Sequence, residues 1–324
     1  MSHQTTIDRL IREEKSNISA ATIRTYTSAI NSICRKADVS PTREDFAEKH
    51  KHIINHINIM DKPSSRRTYF SACMTFLKPT SDTEAKLAYE KEFQKMKTTI
   101  RQIEEKQEPT PQFQALRESS FTWETVIKYR ELYEKEYSND MFEDKARGQG
   151  LLWKIQQYVA LCCYTMIEPR RSQDYCEFVL RNPDPEKENY MMERDGKHYF
   201  VFNCYKTAKS YGKQQIEIPD KLATIINRWA LISGSRHLFM LHRRTQPMSQ
   251  PAVCHMFYDI FNNQKVSVNL LRHLYLAQFV DQDTKMKEIA KNMGHSVGMQ
   301  HMYIYHDLKK DITPSSPPIP EVSM

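Results

Sequence analysis

Basic side chains and tyrosines in the second half of the chain form a set suited to phosphate chemistry. Arginine and lysine neutralise the negative charge that grows on a phosphate under attack, and a tyrosine phenol can be the nucleophile. The set has no acidic member, whereas a metal site would want carboxylates, thiolates or several clustered histidines. We therefore expect a phosphate-like transition state and no bound metal. In chain order the candidates are Arg170 or Arg171, Lys206, Arg272, His295, and Tyr303 or Tyr305.

The first arginine motif lies at the end of a long apolar run. Arg171 follows Pro169, and Asp174 lies three residues later. A core behind the motif can hold Arg171 while its guanidinium group faces a ligand, and the Asp174 carboxylate can orient that group. A surface Arg–Asp ion pair of little energetic value is the alternative interpretation of this motif by itself.

A basic segment separates two runs that have the composition of strands. The runs are 198–204 and 215–219, and Lys206, Lys209 and Lys213 lie between them. Lysines in such a loop can grip a nucleic-acid backbone, or one of them can reach into a cleft. A solvated hairpin tip is the alternative interpretation.

Two motifs nearer the C-terminus place basic residues at helix ends. Asn269 is a suitable N-cap, which puts Arg272 and His273 in the first turn of a predicted helix. The positive end of a helix dipole disfavours a cation and favours an anion, so this pair indicates an anionic ligand. A core helix with an incidental arginine is the alternative. Gly294 ends the next predicted helix, and His295 follows it as a further candidate phosphate ligand.

Periodicity and composition divide the chain into four parts. Apolar residues recur at helical spacing through residues 1–106, which predicts a small helical domain. Two prolines among polar residues indicate an extended linker at 107–118. Helical patterns surround the two strand-like runs in 119–310, which predicts a mainly α domain with a small β-sheet. The proline-rich segment 311–324 indicates a disordered tail.

Individual helices can be placed from caps and apolar spacing. In the N-terminal part, Ser19 is a candidate N-cap of the first helix and a second helix covers 46–57. A third starts near Ser64 and ends before Pro79, and a fourth starts near Asp82. In the C-terminal part, helices are predicted at 122–136, 150–165, 221–232, 250–262, 269–281 and 284–293.

Composition limits the classes of protein that the chain can belong to. It has 324 residues, 40% of them hydrophobic and 27% charged, which is enough for two folded domains. The net charge of +7 permits binding to a polyanion without requiring it. Only 7 glycines occur, with no G-x-G-x-x-G or Walker-type motif, so we expect no nucleotide cofactor.

Cysteine usage and hydropathy bear on the compartment. The seven cysteines are scattered without a C-x-x-C pair, which favours a reducing compartment such as the cytosol or nucleus. Cys162, Cys163 and Cys204 lie in apolar runs and are predicted to be buried. The first residues contain no apolar signal core and no run approaches a membrane span, so we expect an intracellular protein without a membrane partner.

Taken in order, the upstream motifs resemble those of the tyrosine recombinases, also called phage-type integrases. The stretch 165–175 is similar to the family's first box, in which an arginine precedes an acidic residue by three positions. By that spacing Arg171 matches the arginine, and Arg170 is the alternative. Lys206 matches the lysine of the family's β-hairpin. The resemblance covers about residues 119–310.

The downstream motifs extend the resemblance and contain its departures. The segment 269–274 resembles the second box, usually His-x-x-Arg-His, with Asn269 in place of the first histidine. The segment 293–296 resembles the family's Leu-Gly-His-Ser stretch. The family places its nucleophilic tyrosine nine residues after that histidine, which falls between Tyr303 and Tyr305 here. The run before Tyr303 resembles Thr-Thr-x-x-Tyr with one residue deleted, which favours Tyr303.

The resemblance implies a DNA strand transferase with a helical core-binding-like domain and a catalytic domain. The tyrosine would form a 3′-phosphotyrosyl link, release a 5′-hydroxyl and later allow rejoining, without metal, ATP or another cofactor. Arginines would bind the phosphate, the lysine would protonate the leaving oxygen, and the histidine would bind phosphate or take the phenol proton. The implied catalytic residues are Arg171, Lys206, Asn269, Arg272, His295 and Tyr303. Further DNA contacts are expected from Lys209, Lys213 and His273.

Partners and alternatives follow from the same resemblance. Double-stranded DNA is the expected partner, with four protomers acting on two duplexes, and a mobile element or DNA virus is the expected source. Asn269 cannot shuttle a proton at neutral pH as a histidine can. A DNA-binding relative of the same fold that no longer cuts is therefore one alternative. A type IB topoisomerase-like enzyme, which shares the chemistry, is another.

Overall fold

The computed structural model divides the chain into two compact units, Met1–Glu108 and Pro109–Met324. It describes residues 3–15, 17–77, 83–105, 121–176, 178–241, 246–262, 266–279, 289 and 292–293. The expected linker at 107–118 and the expected tail at 311–324 lie outside these residues and stay predictions.

The first unit is built from helices. They are α1 (His3–Glu14), α2 (Ala20–Ala37), α3 (Arg43–Glu48), α4 (His50–Asn58), α5 (Pro63–Phe76) and α6 (Thr83–Glu105). Their apolar faces meet in a core that includes the buried Ile30, Phe46, Ile53, Phe70 and Tyr89. Burial of such faces, rather than helix propensity, is what stabilises helices of this length.

Caps and breaks in this unit follow the sequence in part. The Ser19 side chain accepts a hydrogen bond from the backbone N–H of Thr22 at 3.1 Å, so its predicted role as N-cap of α2 is confirmed. The single helix predicted over 46–57 is wrong, because the helix ends at Glu48 and a new one starts at His50. Helix α1 was not predicted, since its apolar residues are few.

The second unit is mainly helical around a small sheet, as predicted. Its helices are α7 (Trp123–Phe142), α8 (Gln149–Thr165), α9 (Ser172–Cys176), α10 (Ala208–Tyr211), α11 (Asp220–Ser233), α12 (Gln250–Ile260) and α13 (Val268–Ala277). Its strands are β1 (Phe178–Val179), β2 (Asn189–Arg194), β3 (Lys197–Phe202) and β4 (Gln214–Ile218). The helix predicted at 284–293 lies outside the described residues, apart from 289 and 292–293.

Within the described residues the sheet has the order β1-β2-β3-β4. Strand β1 pairs with β2 in parallel, and the other two pairings are antiparallel. The hairpin predicted from the two strand-like runs is the β3–β4 pair, with Phe200 opposite Ile216. Strand β2 was not predicted, although Asp195-Gly196 between β2 and β3 is a strong hairpin signal. Both turn residues have positive φ angles, of 55° and 73°.

An aromatic cluster joins the sheet to helices α8 and α9. The Tyr175 ring lies 5.0 Å from the Tyr164 ring and 6.1 Å from the Phe202 ring, measured between centroids. Phe178 and Phe200 pack edge-to-face at 4.8 Å. Because buried aromatic pairs of this kind resist displacement, they fix the short helix α9 against the end of β3.

Two expectations about burial and membranes can be compared with the structure. Cys162 and Cys163 are buried as predicted, whereas Cys204 is exposed, so its predicted burial is wrong. Cys204 is the second residue after the end of β3 and lies in the loop beyond the apolar part of the strand. Among the described residues, no helix is both long enough and apolar enough to cross a bilayer.

Candidate active site

Arg170 forms the centre of a buried polar cluster between α8 and α9. Its side chain is fully buried, and its Nε donates to Oδ2 of Asp174, also fully buried, at 2.8 Å. The sequence predicted that Asp174 would orient Arg171, but in the structure the hydrogen bond to Asp174 comes from Arg170. Residues 170 and 174 are one helical turn apart, and this spacing allows the contact where α9 begins.

The same guanidinium group contacts three other parts of the unit. Its Nη1 donates to Oε1 of Gln214 at 2.9 Å and to the backbone carbonyl of Asn292. Its Cζ lies 3.9 Å from the Phe202 ring centroid and 5.2 Å from that of Tyr205. Arg170 therefore joins α9, both strands of the β3–β4 hairpin and the segment directly before Gly294.

Two further arginines interact electrostatically with the Asp174 carboxylate, which accepts its hydrogen bond from Arg170. Burial raises the pKa of Asp174, while the charges of Arg170, Arg171 and Arg272 oppose that rise. Arg171 is partly buried, and Arg272 is 1% exposed. The structure thus brings the first arginine motif and the arginine of the second together around one acidic group.

Helix α13 presents Arg272 to this cluster. The Ser267 side chain accepts a hydrogen bond from the backbone N–H of Leu270 at 3.3 Å, so Ser267 is the N-cap of α13. The prediction that Asn269 is the N-cap is therefore wrong. The shift moves Arg272 and His273 from the first turn to the second. Asn269 is exposed, whereas Arg272 is buried and His273 is half-buried.

Lys206 lies in the turn that follows β3, next to the ring that contacts Arg170. Its neighbour Tyr205 is buried and donates from its hydroxyl to the Gly212 carbonyl at 2.6 Å, which closes the loop. Gly212 has φ 67° and ψ −164°, a conformation open in practice only to glycine. Lys206 and Lys209 are exposed, and the exposed Lys213 donates to the Pro185 carbonyl at 3.2 Å.

The remaining predicted site residues fall beyond the described part of the chain. His295, Tyr303 and Tyr305 are among them, so their placement stays a prediction. The Arg170–Asn292 hydrogen bond fixes the chain three residues before His295. In the described residues, no group of three or more His, Cys, Asp or Glu side chains could hold a metal ion.

The cluster can attract an anion strongly. Three guanidinium groups act electrostatically on one carboxylate, so the formal charge of these four groups is at least +2 whatever the protonation of Asp174. Charges at low solvent exposure interact more strongly than charges in water. A net positive charge held in place by the fold is the kind of feature that stabilises negative charge as it develops on a phosphate.

The fold is similar to solved structures of lambda integrase. Over 97% of its length the chain matches 98% of a lambda integrase (75–356) dimer bound to a COC′ core site, with 14% identity and a TM-score of 0.50. It has the fold of lambda integrase. A lambda integrase tetramer bound to a Holliday junction matches with 15% identity and a TM-score of 0.51, over 98% of this chain and 80% of that one. The sequence matches no protein-family model and no curated protein.

Sequence reasoning missed three residues that help to build this integrase-fold site. Gln214 and Tyr205 contact Arg170 directly, and the buried Asn189 binds the backbone on both sides of the cluster. A polar residue that starts or ends a strand beside a charged motif is a usable signal for such contacts. For Asn189 that signal depended on recognising β2.

Proposed function

We propose that the protein is a DNA recombinase or integrase that cuts and rejoins strands through a 3′-phosphotyrosyl intermediate. The observation that carries the proposal is that the charges of Arg170, Arg171 and Arg272 all act on the buried Asp174, in a chain with the lambda integrase fold. Positive charges from two distant motifs that act on one buried acid give a cationic site suited to a phosphate.

Arg171 and Arg272 are proposed to bind the non-bridging oxygens of the scissile phosphate. Arg170 is less suited to this role, because its Nε and Nη1 already donate to Asp174, Gln214 and the Asn292 carbonyl. A bidentate grip uses two nitrogen donors of one guanidinium group, and two of the three nitrogens of Arg170 already bind the protein. Arg170 then holds Asp174 and the hairpin in place while its neighbour faces the DNA.

Lys206, His295 and Tyr303 are proposed to complete the reaction. The Tyr303 phenol attacks the phosphorus, and Lys206 protonates the leaving 5′-oxygen, which departs slowly as a free alkoxide. His295 accepts the phenol proton or binds the phosphate. The exposed Asn269 on α13 can donate a hydrogen bond to phosphate but cannot carry a proton. The step as proposed uses no metal or nucleotide.

Duplex DNA is the proposed substrate. The exposed Lys209 and Lys213 beside the site suit contacts to the backbone, and the net charge of +7 is consistent with a polyanion. The lambda integrase structures of the same fold are a dimer on a core site and a tetramer on a Holliday junction. We propose that this chain likewise assembles as a tetramer on two duplexes.

A covalent-capture experiment tests this proposal without knowledge of the target sequence. The full chain is mixed, in EDTA, with a random library of nicked duplexes from which a short cleaved strand diffuses away, so that religation fails. Adducts that survive detergent are collected and sequenced. Wild type should give adducts carrying the strand's 5′ label, which reports a 3′ link.

Matched tyrosine variants then identify the nucleophile. Tyr303→Phe should abolish the adduct, and Tyr305→Phe should retain it. Loss in Tyr305→Phe alone would transfer the role to Tyr305. If wild type binds DNA but forms no adduct, the chain is a binding protein and the proposed reaction is wrong. Relaxation of supercoils by a monomer, without joining of two DNAs, would indicate topoisomerase-like activity instead.

A further inference from the structure

Asn189, the first residue of β2, has a fully buried side chain that makes four hydrogen bonds to backbone groups. Its Nδ2 donates to the carbonyl of Asp174 at 2.8 Å and to that of Cys204 at 2.7 Å. Its Oδ1 accepts from the backbone N–H of Asn203 at 2.9 Å and of Cys204 at 2.7 Å. These bonds use the full capacity of a side-chain amide, which has two N–H donors and two acceptor lone pairs.

The partners of Asn189 belong to two different parts of the proposed site. Asp174 lies on α9 and binds Arg170, whereas Cys204 lies two residues before Lys206. The loop that carries Cys204 is further fixed by Asn203, whose Nδ2 donates to the carbonyls of Pro185 and Glu188 at 2.9 and 2.8 Å. Asn189 therefore sets the distance between the arginine cluster and the start of the lysine turn.

Few other side chains could replace this amide. Aspartate has the same shape but no donors, so it would face two carbonyl oxygens with a buried negative charge. An apolar side chain would leave backbone donors and acceptors unsatisfied in the interior. Such a loss would be met by movement of the 203–206 segment, because that segment is the more exposed of the two.

We propose that Asn189 is a positioning residue for Lys206, so that it serves proton donation to the leaving 5′-oxygen rather than phosphate binding. This inference rests on the proposed function. In that step the Tyr303 phenol gives its proton to His295 or to solvent as its oxygen forms a bond to phosphorus. The bond from phosphorus to the 5′-oxygen breaks, and its electron pair takes the Lys206 proton. A displaced Lys206 slows only the part of the reaction that needs this proton.

A DNA substrate with sulfur in place of the bridging 5′-oxygen separates proton donation from every other role. A thiol has a pKa near 8.5, so a thiolate departs readily without a proton, whereas an alkoxide does not. The ratio of cleavage rates on the sulfur and oxygen substrates therefore measures how much the enzyme depends on its general acid. Both rates come from one preparation, so the ratio does not depend on the fraction of folded protein.

Asn189→Leu and Lys206→Ala are compared with a matched control, Gln156→Leu. Gln156 is also a buried amide of this unit, with Nε2 donating to the Met240 carbonyl at 3.0 Å and Oε1 accepting from the Met240 N–H at 2.9 Å. Its loss removes similar bonds away from the lysine turn. Asn189→Ser, a milder change, is measured in parallel with Asn189→Leu.

The expected result is a sulfur-to-oxygen ratio that rises at least tenfold in the Asn189 variant and further in Lys206→Ala. General acids contribute on the order of 10²–10⁴-fold. Gln156→Leu should keep the wild-type ratio. An unchanged ratio in both Asn189 variants, with the two rates falling together, would overturn the inference and leave Asn189 a structural residue. Absence of adduct from wild type on either substrate would instead show that the proposed function is wrong.

Discussion

The Nη1 of Arg170 donates a hydrogen bond to the backbone carbonyl of Asn292, 122 positions further along the chain. The same side chain binds Asp174 and Gln214, so one buried guanidinium group joins three distant segments. Because Asn292 precedes Gly294 by two residues, this contact ties the arginine cluster to the segment that carries His295. Arg170 thus stabilises the packing of these segments, whereas its neighbour Arg171 is the proposed phosphate ligand.

Substitution of Arg170 should therefore act on stability. Arg170→Ala leaves the Asp174 carboxylate buried without its partner, and loss of one member of a buried ion pair costs about 3–5 kcal/mol in the free energy of unfolding. All three tryptophans, at 123, 153 and 229, lie in the second unit. Tryptophan fluorescence during urea unfolding of the full chain therefore reports on this unit alone.

Arg171→Ala is the matched control and should give the opposite pattern. Arg171 is partly exposed, so its loss should change the free energy of unfolding by less than about 1 kcal/mol. Adduct formation should fall on the order of 10²-fold or more, because a charge that stabilises the transition state is lost. A large stability loss in Arg171→Ala with a small one in Arg170→Ala would exchange the two roles.

The start of α13 offers a second pair of substitutions with separable effects. Ser267→Ala removes the N-cap and should lower the free energy of unfolding by about 1 kcal/mol. Asn269→Ala is exposed and should leave stability within about 0.5 kcal/mol of wild type, while slowing cleavage if Asn269 binds the phosphate. If Asn269→Ala were the destabilising change, Ser267 would not be the cap. Urea unfolding and adduct formation measure the two effects.

The elements that the sequence predicted well are those with long periodic patterns or local caps. Helices α2, α7 and α8 and the β3–β4 hairpin carry apolar spacing or alternation over many residues, which tertiary packing rarely overrides. The break between α3 and α4 carries no such signal. It depends on how the two short helices pack on the first unit's core, and apolar spacing alone predicts one continuous helix.

The candidate site was predictable in its residue types and less so in its contacts. The order of the motifs indicated that Arg171, Lys206 and Arg272 act together, because a shared chemistry requires it. The Asp174–Arg170 bond could not be deduced, since neighbouring arginines have equal access to an acid until the backbone direction at α9 is known. The hydrogen bonds of the Asn189 amide likewise could not be predicted, because they depend on β2 and the 203–206 loop being adjacent in the fold.

The raised pKa of Asp174 predicts a particular pH dependence of stability. Burial is the main cause of the raised pKa, so in the acid range the folded state retains a proton that the unfolded state has released. The stabilisation from this group is present below the ordinary aspartate pKa and is lost as the pH rises through the folded value. Asp174→Asn should remove this dependence.

Urea unfolding of wild type and Asp174→Asn at a series of acidic pH values measures the effect. The free energy of unfolding of wild type should decline relative to that of the variant as the pH rises, with the other carboxylates cancelling in the difference. A difference that grows in favour of wild type with rising pH would mean that the three arginines outweigh burial and lower the pKa of Asp174.

The lysines of the hairpin loop should determine part of the salt dependence of DNA binding. Each phosphate contact that a lysine makes contributes about 0.9 to the slope of log affinity against log salt concentration. Lys209→Ala and Lys213→Ala should therefore each reduce the slope by about that amount, measured by fluorescence anisotropy with duplex DNA. Lys221→Ala is the control, because Lys221 is an exposed lysine of the same unit that pairs with Glu134. An equal reduction in Lys221→Ala would indicate a diffuse effect of net charge, and no reduction in the loop variants would place the DNA elsewhere.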